Sequence, residues 1–600
     1  MAGAGKFFGT APRRWPLMAA VVFALSALLA STAKAIDVEQ WIWGFNGKAV
    51  TDHFTPLSIR VSNPSAEPFD GFIVLRKQGP MGAGNVGAPI YKRVFIGPFS
   101  NKWIQFEPFI RSDDAKWRLI WGKRMKDSIV IPPPSRGGAA AVLLTRGEVI
   151  LARSKIRAPA FRENLFPPSA AATAGLAAVA LDHMPEFTPA QTRAFLDWLY
   201  AGGILYLMPD ASGRVPAFSG ELTALDFSGD SMKIGAGTVV KRSISDKPIT
   251  AKEMGAVQEI KDNDNNSTVY IDNITDSFFH YVRKCVKTEH NWGLIFFISV
   301  IYMLVVTLVN YLVGRRSKTP LKPIAFFVAT VVVFSLLLAW CGQRGQGEKS
   351  QINTLTIARE AEPGRFIVEQ WLDVFATSGA DYTIQYPNGD PSFFSDCREE
   401  GALNAKIVNG TDAFIKADIP MFSSVQFMRS GTASEPNAAI KSFKQAFDGA
   451  SARFMNLELD PDFHVPVKKI VAVAHGNFYE FRKTGENKYE ALIKTTPEPF
   501  SKRVEQWYNG GGSGAIRFGG GFDDDDNDNK SVESLLVPMI IRTRGGDPII
   551  SGSSSSFFPS PAACDDKTDI YILAEMPDSF KCGNDSIKLE QGHVLFHFIR

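Results

Sequence analysis

The spacing of apolar residues changes several times along the chain, and each change predicts a different kind of structure. Between Ile36 and Pro134, short runs alternate apolar with polar residues. In Leu57 to Asn63 this two-residue period is typical of a half-buried antiparallel strand. Similar runs are Asp37 to Trp43, Gly71 to Arg76, Tyr91 to Ile96, Lys102 to Phe106 and Trp117 to Trp121. Strands at this spacing predict an immunoglobulin-like β-sandwich over residues 36–135.

The next region contains runs that are apolar on both faces, which is typical of parallel strands covered by helices. These runs are Ala140 to Leu144, Gly175 to Leu181 and Ile204 to Met208. Thr188-Pro189-Ala190-Gln191 predicts a capping box at the start of a helix, and Gly202-Gly203 predicts its end. We therefore expect an α/β domain over residues 136–246 that contains a β-α-β unit.

Two longer stretches lack the polar stripe that a helix of a soluble protein shows. Trp292 to Val313 and Ile324 to Cys341 contain no charged residue. Each is long enough to satisfy its backbone hydrogen bonds as a helix within lipid. They predict two transmembrane helices, over residues 292–313 and 324–341.

The charge of the connecting loop predicts the orientation of these helices. Residues 314–323 include Arg315, Arg316, Lys318 and Lys322 and no acidic residue. Short loops rich in Lys and Arg stay in the cytoplasm. Residues 36–291 and 342–600 should then both lie on the outer side of the membrane.

The N-terminus agrees with this orientation. Basic residues precede an apolar run from Leu17 to Leu29, and Ala33-Lys34-Ala35 follows with the small-residue pattern that signal peptidase accepts. We expect residues 1–35 to be a signal peptide. These features place the protein in a bacterial inner membrane, with both large soluble portions on the periplasmic side.

The remaining residues divide into a connector and a β-rich region. Residues 247–291 predict a polar connector followed by a juxtamembrane helix, and residues 342–600 predict mostly strands, in one or two domains. A helix is expected near Asn437 to Phe447, and Gly510 to Lys530 has the low complexity of a solvated loop. The expected strands are Asn353 to Ile357, Tyr382 to Tyr386, Phe454 to Leu459, Lys469 to His475, Tyr479 to Arg482, Glu490 to Lys494, Ser534 to Ile541, Asp569 to Leu573 and His593 to Ile599.

Composition adds few constraints on chemistry. A net charge of +3 gives no argument for a nucleic-acid partner. In an oxidising compartment Cys564 and Cys582 could form a disulfide, and no Cys/His spacing suggests zinc. The acidic run Asp523 to Asn529 could bind calcium, but it lacks the central glycine and terminal glutamate of a calcium loop, so a solvated loop is the favoured interpretation.

One group of titratable residues merits comparison with an active site. Asp182, His183 and Glu186 follow a predicted strand, where α/β sheets commonly place catalytic groups. No nucleophile is identifiable near them, and a hydrogen-bonded loop is the favoured interpretation. Gly510 to Gly514 does not fit the dinucleotide fingerprint. The sequence predicts no catalytic, cofactor-binding or metal-binding residue and no cofactor.

The residues from Val179 to Pro185, followed by Ala190 to Tyr206, resemble the class I glutamine-amidotransferase-like domains of bacterial envelope proteins. Asn310 to Arg316, Gln343-Arg344-Gly345 and Asn353 to Ile357 strengthen this resemblance to a set of uncharacterised bacterial membrane proteins. The resemblance implies an immunoglobulin-like domain, an amidotransferase-like domain and a two-helix hairpin in this order. It also implies a role in an envelope assembly.

An active amidotransferase needs a cysteine nucleophile, and residues 36–284 contain none. The main hypothesis is therefore a non-enzymatic, multidomain α+β membrane protein. Its hairpin lies in the lipid bilayer, and its exported domains bind or scaffold envelope proteins and could form part of an envelope assembly. The alternative is a periplasmic hydrolase or transferase that uses the α/β domain. These two hypotheses differ in whether His183 is needed for chemistry.

Overall fold

The computed structural model describes residues 36–79, 84–111, 115–122, 125–146, 156–210, 213–243, 247–255, 274–285, 292–316, 321–345, 350–387, 389–398, 401–449, 451–493, 498–509, 532–543, 567–583, 587 and 589–600. This part of the chain is a mixed α+β structure that is mostly strand (47%). The predicted signal peptide, the Gly-rich and acidic segment and Cys564 lie outside the described residues.

The N-terminal region consists of short strands, as predicted, and all six expected runs are strands. The elements are β1 (Asp37–Trp43), β2 (Lys48–Ala49), β3 (His53–Phe54), β4 (Leu57–Ser62), β5 (Phe69–Gln78), β6 (Asn85–Ile96), β7 (Asn101–Phe106), β8 (Phe109–Ile110), β9 (Lys116–Trp121), β10 (Asp127–Ile131) and β11 (Ser135–Arg136).

The second region alternates strands with one long helix. Its elements are β12 (Ala140–Thr145), β13 (Ile156–Arg157), β14 (Ala160–Arg162), β15 (Leu176–Leu181), α1 (Pro189–Tyr200), β16 (Ile204–Leu207), β17 (Ser231–Ile234), β18 (Gly237–Lys241) and β19 (Ile249–Thr250), with 3-10 turns at Glu163–Leu165, Ala170–Ala172 and Gly220–Leu225. The helices that follow are α2 (Ile274–Lys284), α3 (Trp292–Leu304), the π-helical turn Val305–Val309, α4 (Asn310–Arg316) and α5 (Leu321–Gly345).

The last region is mostly strand. It comprises β20 (Gln351–Glu362), β21 (Arg365–Ala376), β22 (Ala380–Gln385), β23 (Phe393–Ser395), β24 (Ala405–Val408), β25 (Phe414–Ile419), β26 (Ser423–Ser434), β27 (Ile440–Asp448), β28 (Ser451–Leu459), β29 (Val467–Ala474), β30 (Asn477–Gly485), β31 (Lys488–Ala491), β32 (Glu498–Pro499), α6 (Phe500–Asn509), α7 (Leu536–Thr543), β33 (Asp569–Glu575) and β34 (Leu589–Ile599), with 3-10 turns at Val532–Leu535 and Asp578–Phe580.

Two sheets enclose the N-terminal core. One contains β1, β4 and β7, and the other has the strand order β10-β9-β5-β6-β24-β25-β22. Alternate residues of β4, such as Ile59 and Val61, are fully buried against residues of the second sheet such as Ile73 and Leu75. The two-residue period in β4 is therefore the period of the buried face, as expected for a strand.

Three strands of that second sheet follow the two apolar helices in the sequence, whereas the other four strands precede them. Strand β24 pairs in parallel with β6, through Ile407 opposite Ile90 and Val408 opposite Tyr91. Strands β25 and β22 extend the sheet further. The sheets therefore do not follow a division of the chain into residues 36–135 and 342–600, because both segments build one sheet.

The α/β region contains a six-stranded sheet in the order β14-β12-β15-β16-β18-β17, parallel except for β17. The predicted capping box is present: the Thr188 side chain accepts a hydrogen bond from the backbone of Gln191, whose own side chain returns to Thr188. Helix α1 ends before Gly202, which has a φ of 122° that favours glycine. The β-α-β unit is confirmed.

The largest sheet contains twelve strands, in the order β23-β26-β21-β20-β34-β33-β29-β30-β31-β28-β27 with β32 beside β30. Strands β20 and β34 are parallel neighbours. Two sequence predictions are wrong in this region. The segment expected as a helix, Asn437 to Phe447, forms strand β27, and the segment expected as a strand, Ser534 to Ile541, forms the 3-10 turn before α7 and most of α7.

Both errors have physical causes. Strand β27 has irregular register between Ile440 and Ser442 and between Ala446 and Phe447, so Ile440, Phe443 and Phe447 pack against one core although their spacing is helical. The run that contains α7 is apolar and short, and such a run does not by itself distinguish a buried helix from a strand. In the fold it covers the sheet, with Met539 and Ile540 fully buried.

The hairpin helices expose apolar side chains. Phe296–Arg316 is long and apolar enough to cross a membrane, and none of its most apolar window is buried. The apolar stretch of the second helix, Leu321–Leu337, is too short to count as a candidate span. Helix α5 itself continues to Gly345. The predicted pair of spans is therefore not confirmed as a pair; one candidate span is present.

Helix α2, predicted as juxtamembrane, packs on the large sheet. Phe278 lies edge-on to Trp371 of β21 with ring centroids 4.6 Å apart, and both side chains are fully buried. Other contacts join the regions too. Arg365 donates two hydrogen bonds to the buried carboxylate of Asp197 on α1, at 3.1 Å each, and Arg542 pairs with Glu369 at 2.9 Å.

Truncation of Phe278 tests whether the packing of α2 on the sheet stabilises the whole molecule. We expect Phe278→Ala to lower the free energy of unfolding by about 3–5 kcal/mol, because it leaves a cavity against Trp371. Phe95→Ala is the control, since Phe95 is 57% exposed, and should change stability by less than about 0.5 kcal/mol. Denaturant unfolding of the full chain in detergent measures both. Equal stability of the two variants would contradict the packing role.

Candidate functional site

The carboxyl edge of the α/β sheet gathers charged residues from three parallel strands. Arg146 follows β12, Glu163 follows β14, and Asp182 and His183 follow β15. Because parallel strands point the same way, their carboxyl ends meet at one edge. The sequence placed Asp182 and His183 at this edge correctly.

His183 lies between two carboxylates. Its Nδ1 is 2.6 Å from Asp182 Oδ1 and its Nε2 is 2.9 Å from Glu163 Oε2. Arg146 lies beside the same group, with Nε 3.5 Å from Glu163 Oε1 and a hydrogen bond to the Met184 carbonyl. Glu163 is nearly fully buried, whereas His183 and Asp182 are about one-fifth exposed.

This environment favours the positively charged ring. Burial is the largest single influence and acts to lower the pKa of His183, but the hydrogen bonds and charges of Asp182 and Glu163 together raise the pKa above its usual value. Both ring nitrogens lie within hydrogen-bond distance of a carboxylate, so neither nitrogen faces open space where a substrate could meet it.

The third predicted residue, Glu186, belongs to the edge of the cluster. Its carboxylate is 3.2 Å from Arg146 Nη2, and its side chain is 74% exposed. Sequence reasoning missed Glu163 and Arg146. Each directly follows a strand of the same sheet, and that position is the signal that could have identified them.

The cluster does not suit a metal ion. Asp182 and Glu163 bind opposite edges of the imidazole ring, so their oxygens do not converge on one point. Across the described residues, no group of three or more His, Cys, Asp or Glu side chains has a metal-binding arrangement. The possible calcium ligands of the acidic run, Asp523 to Asn529, lie outside the described residues.

A second polar cluster lies inside the large sheet. Arg429 is fully buried; it donates to Gln370 Oε1 and, at 3.1 Å, to Ser392 Oγ, and its guanidinium lies 3.4 Å from the centroid of the Tyr386 ring. Hydrogen bonds and a cation–π contact replace a carboxylate as the partners of this charge. Such a group fixes neighbouring strands in one register.

Cys582 and Glu590 border this cluster. The Glu590 side chain accepts a hydrogen bond from the Cys582 backbone at 3.0 Å, and burial raises the pKa of Glu590 to about 7. Burial also raises the pKa of the Cys582 thiol to about 12, which makes it a poor nucleophile. Cys582 is a free, buried cysteine, so the predicted Cys564–Cys582 disulfide is not present in this structure; Cys564 itself lies outside the described residues.

A cavity of about 370 Å³ lies among β28 to β31 of the large sheet. Part of its lining is apolar and includes Phe463, Ile470 and Phe481, of which Phe463 and Ile470 are buried. Lys468 and Lys483 also line the cavity, and both are exposed; Lys483 lies two residues after Phe481, on the same face of β30. The cavity therefore combines apolar side chains in its lining with exposed lysines at its mouth.

The charge at this mouth is positive. The lining residues include no Asp or Glu. Lys469 pairs with Glu480 at 3.3 Å, but among the described residues no carboxylate pairs with Lys468 or Lys483. Lys468 Nζ lies 3.3 Å from His593 Nε2, and burial lowers the pKa of His593 to about 4, so that ring is neutral. The cavity thus suits a small molecule with an apolar body and one anionic group.

Comparison with known proteins identifies no family. No family model and no curated protein matches the chain. Among solved structures, a β-glucosidase from Listeria innocua matches at 12% identity and a TM-score of 0.13, and the match covers 17% of this chain and 16% of the β-glucosidase.

A second solved structure is a cycloisomaltooligosaccharide glucanotransferase from Paenibacillus sp. complexed with cycloisomaltoheptaose. It matches at 8% identity and a TM-score of 0.15, covering 77% of this chain and 99% of that chain. At these scores neither likeness carries an argument about fold or activity.

The environment of His183 predicts a specific pH dependence. Because its folded pKa lies above the unfolded value of 6.5, the protonated ring contributes stability that is fully present below pH 6.5 and is lost as pH rises through the folded pKa. We expect His183→Gln to lower the melting temperature most at mildly acidic pH and progressively less at alkaline pH.

The matched control is His464→Gln, at an exposed ring whose Nδ1 lies 2.8 Å from the Asp462 carbonyl oxygen. Its effect should not follow this pH profile. Melting curves across the pH range measure both variants. A difference in melting temperature between wild type and His183→Gln that grows with rising pH would contradict stabilisation of a protonated His183 by the two carboxylates.

Proposed function

We propose that this protein is a non-catalytic, membrane-anchored protein of the bacterial cell envelope, whose extramembrane body binds a partner on the periplasmic side. Within it we interpret the two sheets around the N-terminal core as an immunoglobulin-like sandwich. The six-stranded sheet would be an amidotransferase-like domain without its nucleophile. The observation that carries the proposal is that the chain on both sides of the hairpin packs into one body.

The path of the chain supports two membrane crossings. Helix α2 precedes the hairpin and packs on β20 and β21, which follow it, so both ends of the hairpin join the body on the same side. If Phe296–Arg316 crosses the membrane, the chain has to cross back before β20. Helix α5 lies between them and has 25 residues, which at 1.5 Å per residue span about 37 Å, more than a hydrocarbon core of about 30 Å.

The basic residues between the helices support the orientation. Arg315 and Arg316 end α4, and Lys318 and Lys322 follow. Short cytoplasmic loops of membrane proteins are enriched in Lys and Arg. The body, which includes the α/β region and the cavity, would then face the periplasm.

The chemistry of the clusters supports a binding role. His183 has both ring nitrogens bound to carboxylates, and the Cys582 thiol is buried with a raised pKa. The cavity, in contrast, has an open cationic mouth and an apolar wall. We therefore assign the binding of a small anionic, partly apolar molecule to the cavity among β28 to β31.

Protease accessibility tests the orientation. A site-specific protease sequence inserted between residues 317 and 320 should resist protease added to intact spheroplasts and be cut only after lysis. The same sequence inserted at Gly449, in the turn between β27 and β28, should be cut in intact spheroplasts because this turn is on the body. Cleavage of the first variant before lysis would contradict the proposed orientation.

Titration with 4-phenylbutyrate tests the cavity. Calorimetry on the full chain in nanodiscs, with empty nanodiscs subtracted, should show binding of 4-phenylbutyrate and weaker binding of the uncharged 4-phenylbutanol. Lys483→Glu should weaken the binding of the acid by about tenfold or more, because it replaces attraction by repulsion at short range.

Lys444→Glu provides the control for net charge. Lys444 is an exposed residue of β27 outside the cavity lining, and its reversal changes the charge of the protein by the same amount. We expect it to leave the affinity nearly unchanged. Equal affinity for the acid and the alcohol, or equal loss in both variants, would contradict an anion site at this mouth.

A further inference from the structure

The turn between β25 and β26 exposes two large apolar side chains next to each other. Met421 is 61% exposed and Phe422 is 41% exposed. Phe422 has a φ of 54°, a left-handed conformation that bulky residues rarely adopt. Turns that only reverse the chain usually contain small polar residues or glycine. A large, exposed aromatic residue in a left-handed conformation therefore indicates a further role for this turn.

This turn lies where the chain returns from the hairpin. The Phe422 N–H donates to the Ala376 carbonyl at 2.8 Å, and the Thr377 N–H donates to Ser350 Oγ at 3.0 Å. Ser350 comes five residues after Gly345, the last residue of α5. Five residues extend at most about 18 Å, so the turn is held close to the end of the membrane helix.

The other end of the hairpin leaves the body at the same edge. Along α2, Phe278 contacts Trp371, and the next residue, Phe279, accepts a hydrogen bond from Gln426. In the sheet, Gln426 lies opposite Asp373, two residues closer than Trp371 to the end of β21. The helix therefore runs toward the end of the sheet that carries Ala376 and the exposed turn.

We propose that Met421 and Phe422 insert into the outer interfacial layer of the bilayer that holds the hairpin, as a second membrane contact of this protein. This inference rests on the proposed membrane span. Apolar side chains on a turn at the membrane surface gain by entering the headgroup and acyl boundary, where aromatic rings are favoured. The contact fixes the tilt of the body relative to the membrane, because it adds a point of attachment beside the hairpin.

Photo-crosslinking to lipid tests this contact. The full chain in nanodiscs carries p-benzoylphenylalanine in place of Phe422 in one variant and in place of Phe454 in another. Phe454 is the matched control, since it is also 41% exposed and lies on β28, near the edge of the large sheet that is opposite β26 and its exposed turn. We expect mass spectrometry to detect a lipid adduct at position 422 and no lipid adduct at position 454.

A third variant carries p-benzoylphenylalanine in place of Leu308, which is 57% exposed in the hairpin. Adducts at 308 without adducts at 422 would overturn the second contact and leave the membrane span intact, whereas no adduct at either position would count against the span itself. Adducts of equal yield at 422 and 454 would also overturn it. The same substitution at Met421 repeats the test should the Phe422 variant not fold.

Discussion

The structure depends on contacts between chain segments that the hairpin separates. Strand β24 completes the sheet of β6, and α2 buries Phe278 against Trp371 on the other side of the apolar helices. These contacts require both segments to be on one side of any membrane that the hairpin enters. They also couple folding to the hairpin, because a long-range strand pair forms only after the intervening chain has been placed.

Buried charges reinforce this coupling. The carboxylate of Asp197 is 1% exposed on α1, and Arg365 of β21 neutralises it with two hydrogen bonds. Arg542 of α7 binds both Glu369 and the Asp52 carbonyl in the N-terminal region. Removal of one partner would leave an uncompensated buried charge, so each pair ties its two segments to a single relative position.

The polar clusters differ in what they leave accessible. The two ring nitrogens of His183 and the two terminal nitrogens of Arg429 all contact neighbouring polar groups, and such connected networks give rigidity. At the cavity, Lys468 and Lys483 face solvent beside an apolar wall. Unpaired charge next to apolar surface is the arrangement that a ligand can complete, and for this reason the cavity is the better candidate for binding.

The sequence by itself determined the local structure wherever one physical signal dominated. The capping box at Thr188 and the alternation in β4 predicted the observed helix and strand, and the uncharged run after Trp292 predicted helical backbone correctly, since caps, burial period and hydropathy act within a few residues. It also placed Asp182 and His183 at the carboxyl edge of the α/β sheet. It did not determine β27, where irregular register gives a strand a helical spacing, or α7, whose short apolar run suits either state.

Only the tertiary structure decided which segments meet. Glu163 reaches His183 across twenty residues, and Ile407 reaches Ile90 across the hairpin. Which residues pair across such distances depends on how whole surfaces pack together, so a pattern within a few residues does not predict the pairs. Three features depend on residues that are distant in the chain: the two carboxylate contacts of His183, the sheet that both segments build, and the lysines at the mouth of the cavity. The sequence alone therefore did not predict them.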